Sequence, residues 1–428
     1  MKIRSGDLLS YKPSKYDSSL NAFIPSEVIV SLVQDNGKIA VCTVKEGEVV
    51  QEGQVIAKGK ELNSSVIHSP VPGIVVGTVS KSMPDGRRVP AVKIQMKGEF
   101  SLFGKPKKLI DWKSFPVTTL KRNIVDAGIV NTFDEPVSLG TQIYSLTKAE
   151  KNINVVLRMF DNDPSCTTDL FIAEQYTQQV LEGARILASA INSSAVIGFY
   201  PVKTDFMNKV DTDSSLYAFM PVDISVYPCG GKNQLVQLSE SKNSSVPKVS
   251  AKDLFIDSST ALAVYEAVVL SQPVVDKIIQ VSGQSLVGEG MIRARIGTSI
   301  RALAAEYGGF TKNPAKVIIN GLLMGTNIVD LDTPITKYVK SINFMQKKEL
   351  RNQTVTECLR CGSCRNVCPS SLVPDILYSY YKNQREEDKQ YVATSEVCSG
   401  CGLCNSVCPA RLPLCQTIKL LKGLKNET

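Results

Sequence analysis

Nine of the chain's twelve cysteines fall after residue 357, eight of them in two copies of one spacing. The first copy is Cys358-x2-Cys361-x2-Cys364-x3-Cys368-Pro369; the second is Cys398-x2-Cys401-x2-Cys404-x3-Cys408-Pro409. Two-residue gaps let one tight loop present three thiolates to three iron corners of a cube. The fourth cysteine, after three residues and before proline, points away and ligates the other cluster. The spacing therefore predicts two [4Fe–4S] clusters, one on Cys358, Cys361, Cys364 and Cys408, the other on Cys398, Cys401, Cys404 and Cys368. Zinc also takes CxxC pairs, but a zinc site needs four ligands and no repeated run of this form. Gly362, Gly400 and Gly402 suit such crowded loops, because they permit positive φ and close approach of backbone amides to sulfide. Around the motifs, Val373 to Gln390 reads as a helix, and a second follows with Leu414, Ile418, Leu421 and Leu424 on one face.

The rest of the composition narrows the partners. A single histidine, His68, cannot build histidine-rich metal chemistry, so any metal must be held by sulfur. Lysine and arginine total 49 against 41 acids, a mild excess of +8, and aromatics are only 7% with one tryptophan, Trp112. That balance argues against nucleic acid as a partner. Clustered cysteines point to a reducing compartment. Met1 to Pro13 carries Lys2, Arg4, Asp7 and Lys12 and no apolar core, so no secretory leader is expected. The best apolar stretch, Val317 to Leu331, is interrupted by Asn320, Gly321, Asn327 and Asp330, so no transmembrane segment is expected either.

The pattern along the chain predicts a multidomain α/β protein. Residues 1–100 alternate valine and isoleucine with glycine turns, as in Ile29-Val30-Ser31-Leu32-Val33, and read as a small β domain. Gly53-Gln54-Val55-Ile56-Ala57 followed by His68-Ser69-Pro70-Val71-Pro72-Gly73 resembles the biotinyl/lipoyl barrel-sandwich fold, with Leu62-Asn63-Ser64 where a carrier would hold its modified lysine. His68 has no metal-binding companion and reads as a hydrogen-bonded structural residue. Residues 101–123 read as a linker with Lys105, Lys107, Lys108, Lys113, Lys121 and Arg122 against one acid, Asp111; a solvated connector and a dock for an acidic partner or an anionic membrane are both open. Residues 124–272 alternate strands (Asn154–Leu157, Ser194–Phe199, Asp223–Tyr227) with helices (Ala173–Asn192, Ser259–Leu270), an α/β layer on a mostly parallel sheet. Residues 273–340 read as a β-grasp-like module, with a helix from Ser299 to Tyr307 stopped by Gly308-Gly309. Residues 341–428 form a helical ferredoxin domain. Cys42, Cys166, Cys229 and Cys415 share no spacing and read as buried thiols.

This order of parts, with Tyr227-Pro228-Cys229-Gly230-Gly231-Lys232-Asn233-Gln234-Leu235, Arg295-Ile296-Gly297-Thr298 and the two cluster motifs, resembles the RnfC family of Rnf-type electron transport complexes, relatives of the flavin- and NADH-binding subunit of respiratory complex I. The resemblance implies a central domain of that flavoprotein type, flavin mononucleotide (FMN) and NADH as cofactors, attachment to membrane subunits, and a peripheral place on the cytoplasmic face of the cell membrane. It also marks a degenerate cofactor site made of Gly128, Asp161, Asp163, Gly230, Gly231 and Lys232. The family's glycine run is here Ala127-Gly128-Ile129-Val130-Asn131-Thr132-Phe133-Asp134-Glu135-Pro136, and its second acidic element is Arg158-Met159-Phe160-Asp161-Asn162-Asp163-Pro164. Side chains in a phosphate-binding loop block the close approach of a cofactor to the main chain, and Asp134 and Glu135 repel phosphate. The expectation is therefore an electron-relaying iron–sulfur subunit that binds neither FMN nor NADH with the family's affinity and has no catalytic residues of its own, with a ferredoxin or flavodoxin as electron donor. Two alternatives stay open: a cobalamin-reductase-like flavin and iron–sulfur protein, and a scaffold subunit whose metal sites are structural.

Overall fold

The computed structural model describes residues 3–9, 14–36, 39–60, 65–149, 153–210, 215–241, 246–350, 354–384 and 386–425. The carrier-tip tripeptide Leu62-Asn63-Ser64 lies outside them. The first domain packs two antiparallel sheets face to face. One has the order Glu27–Ser31, Arg88–Met96, Gly73–Ser82, Val49–Val50; the other has Val41–Cys42, Val55–Lys58, Ile67–His68. Alternation along Glu27–Ser31 turns Val28 and Val30 inward to meet Ile56, Ile67, Val92 and Ile94. At Gly73 an added Cβ would collide with the Gln95 carbonyl, so the long hairpin closes only with glycine there. His68 is buried at the edge of this domain, and burial, with Lys337 nearby, pushes its pKa down to about 3, so the ring is neutral.

The central layer is a fully parallel sheet in the order Tyr217–Val222, Val196–Pro201, Val155–Arg158, Leu254–Asp257. Its two inner strands are almost continuously apolar, as a sheet covered on both faces requires. The last strand differs from the expected Asp223–Tyr227. Tyr217–Val222 pairs along Val196–Pro201, while Val226–Tyr227 pairs with Ile3–Arg4 instead. Pro221 in that strand is tolerated because the strand is an edge. The expected single helix Ala173–Asn192 is two, Thr168–Gln175 and Thr177–Ile191. They part at Tyr176, where the Thr177 hydroxyl donates to the Ala173 carbonyl at 2.7 Å. Part of the supposed linker also belongs to this layer: Trp112 is 6% exposed and donates to Glu182 at 2.7 Å, and Val117–Asp126 is a helix that buries Leu120 and Ile124.

The third sheet runs Ser19–Asn21, Gly290–Arg295, Asp276–Ser282, Ser341–Met345, Lys316–Ile319, Thr326–Ile328. It draws its edge strand from the N-terminal region and an inner strand from beyond residue 340, so it is wider than the expected 273–340 module. Ser341–Met345 is buried throughout and pairs parallel with Asp276–Ser282, a long-range pairing that no local pattern announces. The helix here is Ile300–Glu306, capped by the Ser299 hydroxyl and ended by Gly308 and Gly309 at φ +83° and +76°. In the last domain, short helices Ser363–Asn366 and Leu403–Ser406 alternate with Pro374–Asn383 and Leu414–Lys425. The expected helix to Gln390 stops at Asn383, because Gln384 turns to φ +50°, and Glu386–Val397 continues as 3-10 helix.

One buried ion group joins the central layer to the third sheet. The Lys340 ammonium donates to Asp169 at 2.6 Å, to Asp257 at 2.5 Å and to the Thr132 carbonyl at 3.0 Å; both carboxylate side chains are fully buried. Burial opposes ionisation of Asp257, but Lys340 outweighs it and holds that carboxyl well below the usual range, while Lys340 is held above its own. Lys340→Ala would strand two buried carboxylates, at a cost of roughly 3–5 kcal/mol. The expected outcome is a fall in the thermal midpoint of roughly 5 °C or more, followed by circular dichroism on anaerobically purified protein; a midpoint within a degree of the parent would contradict it.

Candidate metal centres

The two cysteine motifs fold as near-copies. In each, the residue between the first two cysteines has positive φ (Arg360 at +52°, Gly400 at +66°), and so does the glycine after the second (Gly362 at +74°, Gly402 at +72°). These turns aim backbone amides at sulfur: Arg360 N lies 3.4 Å from Cys358 Sγ and Gly400 N lies 3.4 Å from Cys398 Sγ. The residue after Ser371 does the same, with Leu372 N at 3.3 Å from Cys368 Sγ. Amide donors to sulfur are among the features that set the potential of a bound cluster.

The fold brings the thiols into two sets. Cys358, Cys361, Cys364 and Cys408 line one cavity of about 330 Å³; Cys398, Cys401, Cys404 and Cys368 line another of about 320 Å³. Each set thus takes three cysteines from one motif and the fourth from the other. Among the described residues no three His, Cys, Asp or Glu side chains close on a single metal ion. Thiols that ring a space suit a polynuclear cluster better than one zinc ion. Cys415, expected as an ordinary buried thiol, lines the second cavity as well.

The two cavities face different surroundings. Cys358 and Cys361 are exposed, whereas Cys398 and Cys401 are half-buried. Around the second cavity the Tyr227 hydroxyl donates to the Cys401 carbonyl at 2.7 Å, and Lys419 Nζ donates to the Met324 carbonyl at 3.0 Å. Gly402 rests on the Leu323 carbonyl, where a Cβ would collide. The ferredoxin domain therefore docks on the body of the protein through its second motif.

The six candidate cofactor residues of the α/β layer have structural partners. Gly128 lies away from the sheet's carboxyl end, at the junction of three domains; its carbonyl and that of Val66 accept from Lys337 Nζ at 2.6 and 2.7 Å. Asp161 accepts from the Asp169 and Leu170 amides at 2.9 and 3.2 Å, near the start of helix Thr168–Gln175. Asp163 accepts from Ser165, and through its other oxygen from the Leu323 and Met324 amides at 2.9 and 2.8 Å. It thereby holds the loop on which Gly402 rests. The Gly230 carbonyl accepts from Arg158, Gly231 precedes helix Lys232–Ser239, and the Lys232 ammonium lies 5.0 Å over the Phe255 ring.

Arg158, not among the candidates, lies against one of them, Gly230. It ends strand Val155–Arg158 and is 2% exposed. Its guanidinium donates to the carbonyls of Phe160, Gly230 and Phe133 at 3.1, 2.8 and 2.7 Å and lies 4.1 Å from the centre of the Phe133 ring. The residues that replace the glycines are occupied likewise. Asn131 donates to Gln142 and to the Phe255 carbonyl, Thr132 donates to Asp257, and Glu135 accepts from Lys422. These side chains are committed to the chain's own groups at the place where the resemblance puts a flavin phosphate. In sequence, the only sign of this was an arginine at a strand's carboxyl end beside a loop without glycines.

The RnfC barrel sandwich hybrid domain matches residues 10–99, and the 4Fe-4S dicluster domain matches residues 354–412. The chain is thus an iron–sulfur protein that joins these two domains through an α/β body. More particularly, it is a homologue of the RnfC proteins of ion-translocating oxidoreductase complexes. It is 26% identical over 379 residues to the one from Yersinia pestis bv. Antiqua (strain Antiqua), covering 85% of this chain and 59% of the relative. To the one from Rhodobacter capsulatus it is 27% identical over 365 residues, covering 82% and 69%. The chain spans somewhat over half the length of the Yersinia relatives. Among solved structures, an NAD+-reducing [NiFe]-hydrogenase in the air-oxidized state shares a partial likeness, with TM-score 0.49, 10% identity and coverage of 72% of this chain and 63% of that one.

Asp161 offers a test of its structural role. Burial, and then the charge of Asp169, push its carboxyl up from 3.8 to about 7. A folded-state pKa above the unfolded value stabilises the protein fully at low pH, and that contribution is lost as pH rises through the folded pKa. Asp161→Asn keeps an oxygen for the two amides and does not ionise. Its thermal midpoint should therefore gain on that of the parent as pH goes from 5 to 8. A constant offset across that range would show that Asp161 is ionised throughout.

Proposed function

We propose that the chain is an iron–sulfur electron-transfer subunit of an Rnf-like, ion-pumping electron transport complex, and that it relays electrons without oxidising NADH itself. The observation that carries this reading is the pair of thiol rings, each completed by a cysteine of the other motif. Cys358, Cys361, Cys364 and Cys408 would hold one [4Fe–4S] cluster, and Cys398, Cys401, Cys404 and Cys368 the other. Bound clusters supply one-electron steps at potentials set by charge, exposure and hydrogen bonds to sulfur. The chain's own part is to fix the thiolates, to direct the amides of Arg360, Gly400 and Leu372 at them, and to dock the second motif on the body. The exposure of Cys358 and Cys361 supports the first site as the one that exchanges electrons with an outside partner.

The same reading assigns the chain a peripheral place on the cytoplasmic face of the membrane, beside the membrane subunits of the complex. It is supported by relatives named as subunits of an ion-translocating complex; among the described residues no helix is long and apolar enough to cross a membrane. A reduced ferredoxin or flavodoxin is the proposed soluble donor. Lys105, Lys107, Lys108, Lys113 and Arg122 are exposed and offer a positive surface to an acidic carrier.

Four measurements test this. Anaerobically prepared protein should contain about eight irons and eight sulfides per chain. Cys368→Ala should then damage the cluster held mainly by the second motif, and Cys408→Ala that of the first, as followed by EPR. Replacements that disturb only the cluster of their own motif would refute the cross-pairing. Reversible reduction by a low-potential donor separates a relay from a scaffold with structural clusters. For the cofactors, anaerobic titration of the chain with FMN and with NADH should show no stoichiometric binding and no NADH-driven reduction of the clusters, because Arg158, Asn131 and Thr132 take the space, donating to the chain's own carbonyls and to Asp257. Tight flavin with rapid reduction by NADH would overturn this and restore a dehydrogenase function.

A further inference from the structure

The two repeats correspond beyond their cysteines. Asp375, in helix Pro374–Asn383, and Cys415, in helix Leu414–Lys425, hold the same place after their motifs, and each lines the cavity whose first three cysteines belong to its own repeat. They are committed differently. Asp375 accepts from both donor positions of Arg365, at 2.7 and 2.6 Å. The counterpart of Arg365 is Asn405, which binds main chain and a neighbour instead: it accepts from the Cys415 amide at 2.8 Å and donates to Gln416 at 2.6 Å. Among the described residues no side chain holds the Cys415 sulfur as Arg365 holds Asp375. Cys415 is 4% exposed and lines that cavity with Cys398, which packs against the apolar cluster that Ile418 and Leu421 of the Cys415 helix form with Leu377. The second cavity is ringed by five sulfurs, the first by four and a carboxylate already held by arginine.

Resting on the cluster assignment above, we propose that Cys415 is a reserve ligand of the second cluster, able to take the iron corner that Cys398 holds. In the exchange an Fe–S bond forms to Cys415 as the bond to Cys398 breaks, and the Cys415 thiol proton passes to the Cys398 sulfur. No electron is gained or lost and the charge of the site is unchanged. Thiolate is the ordinary protein ligand of such a cluster, so a fifth thiol already inside the site needs only a side-chain rotation, whereas a distant one needs the backbone to move. The first site has no such sulfur among the described residues.

The asymmetry can be measured through iron content and EPR rather than activity. Cys358→Ala should fall from about eight irons to about four with loss of one cluster signal, while Cys398→Ala should keep about eight with an altered second signal. Cys398→Ala/Cys415→Ala should fall to about four, and so should Cys401→Ala, whose side chain packs instead against the cluster of Tyr227, Val367 and Leu403. The unaltered signal of the first cluster reports that each second-motif variant is folded. Loss of the second cluster in Cys398→Ala as in Cys401→Ala would overturn the proposal, and so would its survival in the double variant. Parent protein without clusters would instead refute the assignment beneath it.

Discussion

The architecture depends on a lysine buried between two domains. Lys340 places one positive charge against Asp169 and Asp257, and each partner then organises what surrounds it. Asp169 accepts from the Ser259 amide and hydroxyl, and Asp257 accepts from the Thr260 amide, so together they cap helix Ser258–Val269. The Lys340 amide donates to Asn320 at 2.7 Å, which fixes the start of the loop that Asp163 grips at Leu323 and Met324. On that loop rests Gly402 of the second motif. A charge in low dielectric is tolerated only when fully paired, so this arrangement is held as a unit.

That network also closes the end of the sheet where α/β proteins ordinarily take a ligand. Arg158 caps the opening from the strand side by binding three carbonyls, and the Lys340 group fills it from the opposite side. Backbone carbonyls that meet a cofactor-binding loop elsewhere are here satisfied by the protein's own guanidinium. The ferredoxin domain rests on this body through the loop at Leu323 and Met324 that Asp163 holds.

The rings themselves are reciprocal. Because each borrows a cysteine, neither motif can complete a site alone, and binding at one site constrains the backbone of the other. The near-symmetry of their turns coexists with unequal surroundings: an arginine–carboxylate pair beside the first, a fifth thiol and the body's loop beside the second. Differences of this kind are what set cluster potentials apart in a two-cluster chain.

The cysteine spacing by itself pointed to two clusters, because short loops leave few ways to place eight thiolates. Period-two and period-3.6 patterns likewise disclosed the β domain, the α/β layer and most helices, since those elements bury one face locally. What the sequence left undecided is long-range. Ser341–Met345 becomes an inner strand only by pairing with Asp276–Ser282, and Tyr217–Val222 displaces the expected Asp223–Tyr227 because the sheet edge accepts it. The fates of Gly128, Asp161 and Asp163 were equally hidden, for their partners lie in other segments: Lys337, the Asp169 and Leu170 amides, and the loop at Leu323. An aspartate reads alike in sequence whether it awaits a ligand or holds a backbone amide. Only the folded chain, by bringing the donor to it, decides which.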